Sequence, residues 1–418
     1  MSISTKKLSN IFHLTRSLFN ETEVQRASIP LETASSETAP PKTDALETGD
    51  PLCHNVHSVL PTAIIYCEGN FGKVDGKTAN GLVRHSNNYR ILSVLDSENA
   101  GLDSGVVLDG EANAIPIVAT IEDALIHAKT TPDYFIFGIA PSSGLLSDSE
   151  KAMILKAMSL NMSIVNGLHE FLCDDPIFLE ASIKHNVHIL DIRKPKNKEE
   201  LRTFSGDIHN VKCPRIAVMG TDCASGKRTT ATILTNGLRK KGLNVVMIAT
   251  GQTGIMQGAP YCVALDAVPS QFCAGELEAV IVKAYEVEKP DIIIIEGQGA
   301  LSHPAFSTSS FILRGSCPTG VILQHAPKRL YRVDFTNMPM PSIASEIHLI
   351  ETFSHTSVIG LTLNHEGMSL DEVLTAMSVY SSEFGLPVTA PLLQPQEQLL
   401  QIVLSAYPLL TNKIVEKE

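Results

Sequence analysis

Apolar and polar positions alternate along this chain in blocks. From Pro61 onward, short runs that are almost wholly apolar fall at residues 63–67, 90–95, 134–139, 163–166 and 187–192. Between them lie stretches of helical periodicity at 78–85, 121–129, 148–160 and from Asp175-Pro176 onward. Strands that are apolar throughout, alternating with helices, predict a parallel sheet covered on both faces. Residues 61–195 are therefore read as a Rossmann-like domain. A polar, irregular stretch at 196–213 serves as linker, and the alternation then resumes from 214 to 418. There, strands are predicted at 215–220, 245–249, 291–296, 321–323 and 358–363, and a turn at Gly251-Gln252-Thr253-Gly254. Helices are predicted from Gly226-Lys227 to 241, at 275–286, 370–384 and 396–406. The expected fold class is α/β, with two doubly wound parallel-sheet domains.

The junction at 215–230 carries the most chemistry. An apolar strand ends at Gly220, a polar loop follows, and Gly226-Lys227 opens a helix. Main-chain N–H groups of such a loop, together with the helix dipole, attract phosphate oxygens, and Lys227 adds charge for the outer phosphates. Gly220, Thr221, Ser225, Gly226, Lys227, Arg228, Thr229 and Thr230 are the candidate phosphate-binding residues. Five residues separate Gly220 from Gly226 where the common P-loop has four, and Arg228 stands where the magnesium-binding hydroxyl belongs. A diphosphate or triphosphate ligand is expected, with magnesium-dependent ATP hydrolysis less favoured.

Ligands of such sheets collect at the carboxyl ends of the strands. Glu296 ends the apolar run 292–295 and is followed by Gly297-Gln298-Gly299, the place of a carboxylate that holds magnesium or takes a proton. If magnesium is used, Glu296 and Thr229 are its candidate ligands. Asp222, a further candidate catalytic residue, lies inside the phosphate loop, where a free carboxylate repels phosphate. It must pair with a metal, a Lys or a substrate amine, or else cap the helix. His303 is a candidate proton acceptor, with an ordinary turn histidine before Pro304 as the alternative. Arg314, Lys328 and Arg329 are cations suited to a carboxylate substrate, and Asn364 ends the strand 358–363 where an amide can read a purine edge. In the first domain, Gly69, Gly72 and Gly76 precede a helix and Asp96 ends the next strand. The spacing is not that of a dinucleotide fingerprint, and a plain strand-to-helix turn is favoured.

Composition narrows the partners. The chain has 418 residues, 44% hydrophobic and 19% charged, with net charge −12. An acidic surface argues against nucleic acid and anionic membranes as partners, and no apolar run is long enough to span a bilayer. Eight cysteines without a Cys-x-x-Cys pair suit a reducing compartment. Cys53, His54 and His57 cluster without a second ligand pair, so a surface turn is expected there. Residues 1–20 are basic, acid-free and amphipathic, and 32–51 are rich in Ser, Thr, Pro and Glu. Residues 1–60 are thus expected to be an extension with a disordered linker. Cytoplasm is the expected compartment, and the mitochondrial matrix is the alternative if the start is a targeting peptide.

The motifs Gly220-Thr221-Asp222, Gly226-Lys227, Glu296-Gly297-Gln298-Gly299 and strand-terminal Asn364 resemble dethiobiotin synthetase, which uses ATP to activate a carboxylated amine. A closer resemblance, from residue 61 into the C-terminal region, is to the DgcN-like family. It is carried by Gly76-Lys77-Thr78-Ala79-Asn80-Gly81-Leu82, Asp96-Ser97-Glu98-Asn99-Ala100-Gly101, Gly167-Leu168-His169-Glu170-Phe171-Leu172 and Asp191-Ile192-Arg193-Lys194-Pro195. In the second half it is carried by residues 220–230, Gly251-Gln252-Thr253-Gly254 and 296–304. The resemblance implies a Rossmann-like N-terminal domain joined to a C-terminal P-loop domain. It also implies transfer of acetyl from acetyl-CoA to the amine of D-glutamate. Acetyl-CoA carries a diphosphate, so it suits the loop without nucleotide cleavage. Glu296 or His303 is then the expected base and Arg314 or Lys328 the expected holder of the acid. The alternatives are an ATP- and Mg2+-dependent ligase or kinase of a small carboxylic acid, and a nucleotide-binding protein without turnover. A homo-oligomer is expected.

Overall fold

The computed structural model describes residues 60–141 and 143–415. Apart from Leu60, the expected extension 1–60 and its Cys53, His54 and His57 lie outside the described residues. The first domain holds β1 (Thr62–Tyr66), β2 (Arg90–Leu95), β3 (Ile117–Val118), β4 (Tyr134–Phe137), β5 (Ser163–Asn166) and β6 (Ile189–Asp191). They form one parallel sheet in the order β3-β2-β1-β4-β5-β6, the doubly wound order of a dinucleotide-type fold. The helix Ser104–Asp109 and the two-residue β3 were not expected; both are too short to show a period.

The second domain is built on β7 (Arg215–Gly220), β8 (Val245–Ala249), β9 (Tyr261–Cys262), β10 (Ile292–Glu296) and β11 (Gly320–His325). After them come the two-stranded β12 (Tyr331–Arg332) and β13 (Phe335–Pro339), then β14 (Val358–Leu363) and β15 (Val388–Thr389). Seven of these strands form a parallel sheet, β15-β14-β11-β7-β10-β8-β9. The period of two explains why a run such as Ile292–Ile295 must be apolar throughout. Ile292 and Ile294 enter the core under the helices Lys227–Lys240 and Gln396–Ala406, beside Leu234 and Leu399. Ile293 and Ile295 enter the opposite core with Leu277, Ile281 and Ile312. Burying each such side chain contributes roughly 1.5–3 kcal/mol, so both faces of the central strands stabilise the site above them.

In the second domain the helices Thr308–Ser316, Ile343–Ser354 and Pro408–Val415 and the strands β9, β12, β13 and β15 were not expected. Three regions that were read differ from the sequence reading. Gly251–Gly254 is not a turn: residues Gln252–Met256 form a short helix. The helix expected at 275–286 runs from Ser270 to Glu288. Its first glutamate pair fixes the linker that was read as polar and irregular. Buried Glu276 accepts from Lys196 Nζ at 3.0 Å and Arg202 N at 2.8 Å. Buried Glu278 accepts from the amides of Ser205, Gly206 and Ile208. Gly275 permits this approach, since a Cβ there would lie 2.3 Å from Arg202 O.

The two domains dock through polar groups. Arg193, from the first domain, donates to Asp266 Oδ2 at 2.7 Å and Gln252 Oε1 at 2.8 Å, and also to Gly167 O. Thr78 and Thr253 hydroxyls meet at 3.2 Å, and Gln257 Nε2 donates to Gly81 O at 2.7 Å. Met256 completes the first domain's core. Removing one partner of a largely buried ion pair leaves the other without compensation. Arg193→Ala is expected to lower unfolding stability by about 3 kcal/mol, checked by urea denaturation against Arg193→Lys, which keeps the charge but not the forked hydrogen-bonding geometry.

Candidate functional site

The site lies at the carboxyl end of β7, the central strand. Gly220 ends it, and a Cβ there would come within 2.9 Å of Lys227 Cδ and Ser225 Oγ, so a larger residue would displace both side chains. Ala224 (φ +46°) and Gly226 (φ +101°) take the left-handed backbone that turns the chain into the helix Lys227–Lys240. Thr221 is tied to β11, its N–H to Gln324 O at 3.0 Å and its hydroxyl to His325 Nδ1 at 2.9 Å. Thr230 donates to Gln324 Oε1 at 2.6 Å, and Asn364 Nδ2 donates to Ser225 O at 3.2 Å. Buried Lys227 donates through Nζ to Asp222 O at 2.6 Å and reaches Ser225 Oγ at 3.4 Å. Burial pulls its pKa down, partly opposed by Cys223, Asp222 and Glu296.

Arg228 does not face the place of a magnesium-binding hydroxyl. It donates to Gln257, whose own amide holds Gly81 O of the first domain. Thr229 is half-buried on the first turn of the helix. Glu296 ends β10, where its Oε2 accepts from Thr250 N at 3.0 Å. Burial raises its pKa, against the pull of Arg228. Gly297 follows because a Cβ there would lie 2.1 Å from Val218 O.

Asp222 is fully buried and does not cap the helix. Its Oδ2 accepts from Arg329 Nη1 at 3.0 Å and Val333 N at 2.9 Å. Arg329 also binds Cys223 O at 2.7 Å, and Arg332 donates to Ser302 Oγ at 2.9 Å. Asp222 thus pairs with an arginine from the region after β11 rather than with the expected Lys. His303 is buried between Phe306 and Phe335, with ring centroids at 4.7 and 5.7 Å. Its Nδ1 accepts from Ala305 N at 3.3 Å, which leaves the ring proton of the neutral form on Nε2. Burial, then Arg332, lowers its pKa. This tautomer does not suit proton abstraction at Nε2.

Two expected substrate cations fall elsewhere. Arg314 stands in the last turn of the helix Thr308–Ser316, which leads back to the amino end of β11, and its guanidinium lies 5.0 Å over the Phe353 ring. The topology therefore puts it at the opposite end of the sheet from the phosphate loop. Lys328 follows β11 but is exposed and paired with Glu372 at 2.6 Å. In the first domain, the strand-end Asp96 accepts from Gly69 N at 3.0 Å, Glu98 N at 3.2 Å and Asn99 Nδ2 at 2.7 Å. The glycines of that loop form a turn, and its helix Lys77–Arg84 packs toward Arg228 and Thr253.

Sequence reading missed Cys223, Gln324, His325, Arg332, Asp334 and Glu346 as parts of this region. Gln324 and His325 end an apolar strand, so the rule that found Glu296 also applies to them. Glu346 gives no such signal: it reaches from the helix Ile343–Ser354 to accept from Leu301 N at 2.6 Å and Ser302 Oγ at 2.5 Å.

A phosphate-loop domain joined to a Rossmann-like domain is the class this geometry defines. Residues 202–400 match the family model described as a domain of unknown function, the DUF1611 C-terminal P-loop domain, and 97–195 match its N-terminal Rossmann-like domain. The chain belongs to the DUF1611 family, as its motifs led us to expect. It is 33% identical over 277 residues to a Pseudoalteromonas sp protein named D-glutamate N-acetyltransferase, covering 65% of this chain and 80% of the relative. A protein of the same name from Tritonibacter scottomollicae is 25% identical over 281 residues, with the same coverage of 65% and 80%. The crystal structure of a DUF1611 family protein from Anabaena variabilis ATCC 29413 matches with TM-score 0.76 and 32% identity, over 82% of this chain and 99% of that one. Among the described residues no helix is long and apolar enough to cross a membrane.

His325 makes the loop's support sensitive to pH. Burial, then Arg329, lowers its pKa from 6.5 to about 4. Between those values the unfolded chain binds the proton and the folded chain does not, so stability falls as pH drops through that window. The loss reaches about 3 kcal/mol below it. Chemical denaturation at both ends of the window should show this loss in the native protein, and His325→Asn should remove it.

Proposed function

We propose that this protein is an N-acyltransferase that moves acetyl from acetyl-CoA to the amine of a small acidic amino acid, of which D-glutamate is the first candidate. The observation that carries the reading is the loop 220–227, with its left-handed turn, inward Lys227 and helix N-terminus, in a chain of the family that includes the named D-glutamate N-acetyltransferases. In this reading, loop amides and Lys227 hold the diphosphate of acetyl-CoA, and Asn364 lies beside them where it can meet the adenosine.

The reaction forms a C–N bond between the substrate amine and the acetyl carbon and breaks its C–S bond, releasing CoA as the thiol. The amine must lose a proton, and the thiolate must gain one. Glu296 is the acceptor this reading favours. A carboxyl raised by burial is a stronger base than an exposed one, matching the task more closely. The tautomer of His303 makes it the weaker candidate. Arg314 has no part, and Lys328 can contribute only by exchanging Glu372 for the substrate's carboxylate.

Glu296 at a strand end beside a phosphate loop also fits magnesium-ATP chemistry, so one assay is run with both donors. Purified protein with D-glutamate is given acetyl-CoA or Mg-ATP, and free thiol and ADP are measured. Thiol release is expected, lowered roughly 100-fold or more in Lys227→Ala and within about twofold of the native rate in Arg314→Ala. ADP formation without thiol would overturn the acyltransferase reading in favour of a ligase or kinase. Binding of either donor without product would leave a nucleotide-binding protein.

A further inference from the structure

Beside the phosphate loop two buried polar atoms face each other without a hydrogen-bond partner. Asp222 Oδ1 and His303 Nε2 have no hydrogen bond, both side chains are wholly buried, and the atoms are 3.9 Å apart, with Arg332 Nη1 also 3.9 Å from Oδ1. Cys223 Sγ completes a trio whose donor atoms all lie within 4.8 Å of one another. Asp334 Oδ2 stands 3.7 Å from the same His303 nitrogen, on a side chain that reaches solvent. Leaving such atoms unpaired is costly, so a site of this kind calls for an occupant.

We infer that Asp222, Cys223 and His303 form a binding site for a divalent transition ion of the zinc class, with Asp334 at its solvent-facing side. The donor set decides the class: thiolate, imidazole and carboxylate suit zinc-like ions, whereas magnesium prefers oxygen alone. Zinc–ligand bonds of about 2.0–2.3 Å put tetrahedral ligand atoms roughly 3.3–3.6 Å apart. The 3.9 Å between Asp222 and His303 is close to that before any adjustment.

The surroundings orient each ligand as a metal site requires. Arg329 and Val333 N hold Oδ2 of Asp222, which leaves Oδ1 as a single ligand atom. Phe306 and Phe335 fix the His303 ring plane, and Arg329 anchors the Cys223 carbonyl. Binding through Nε2 moves the ring proton to Nδ1 and gives up the long bond from Ala305 N, 3.3 Å, for a metal–nitrogen bond. Cys223 binds as thiolate and releases one proton to solvent. The dication minus that proton adds one positive charge to the site. That charge lies next to the loop where phosphate is expected, and favours an anionic ligand there.

The test needs neither acyl donor nor amino acid. The full chain is stripped with chelator, titrated with Co2+, and read by absorption. One equivalent per chain is expected, with a sulfur-to-cobalt charge-transfer band that is absent in Cys223→Ser and bound at least about tenfold more weakly in Asp334→Asn. No band with the native chain, showing that the gap holds water alone, would overturn the inference. So would a band that survives in Cys223→Ser, which places the metal at another thiol. If circular dichroism shows that Cys223→Ser does not fold, X-ray absorption of the zinc-loaded native chain decides. One sulfur among nitrogen and oxygen neighbours is expected, and a shell without sulfur sinks the proposal.

Discussion

A carboxylate placed inside a phosphate loop is the constraint on which the site depends. Asp222 is fully buried on a segment whose usual task is to attract anions, so its charge must be met from within the protein. Arg329 and the Val333 amide meet it, and neither belongs to the loop. Both come from the segment after β11, which also supplies Arg332 to Ser302 and frames His303 through Phe335. One buried charge therefore fastens three separate parts of the chain: the loop after β7, the loop after β10 and the β12–β13 hairpin.

The same logic reaches across the domain boundary. Arg228 occupies the position that a magnesium-binding hydroxyl takes in the common loop, and it turns to Gln257, which holds the first domain by Gly81 O. A Cβ at Gly81 would lie 2.5 Å from Arg228 Nη2, so the helix Lys77–Arg84 has a glycine where the guanidinium passes. Arg193 closes the other side of the joint on Asp266 and Gln252. The first domain keeps the strand order of a dinucleotide fold, yet its Asp96 is fully engaged by its own main chain and Asn99. In this protein the glycine-containing loop and helix of that domain buttress the phosphate-loop domain.

The cluster of Asp222, Cys223 and His303 shows how distance along the chain hides chemistry. Two of its members are adjacent, but the third lies eighty residues on, reached only because β7 and β10 pair in parallel register with Glu296 opposite Val218. Metal spacing in sequence is a guide when ligands share a loop or a helix. Ligands from two loops at one edge of a sheet leave no such spacing. The same holds for Glu346, which binds Leu301 and Ser302 from a helix with no motif of its own.

The longer strands and most of the helices between them, the parallel character of both sheets and the position of the phosphate loop were legible in the sequence. Each follows from local rules: apolar runs buried on both faces, glycines at close approaches, and a Gly-Lys at a helix start. The strand-end residues Glu296 and Asn364 were found by the same reasoning. Which cation balances Asp222, where Arg314 points, which His303 nitrogen carries the proton and what the first domain supports were decided by tertiary structure. These depend on pairings between residues tens to more than a hundred positions apart, whose partners are chosen by sheet register and loop packing. Periodicity fixes the face a side chain takes; only the assembled fold fixes what it meets there.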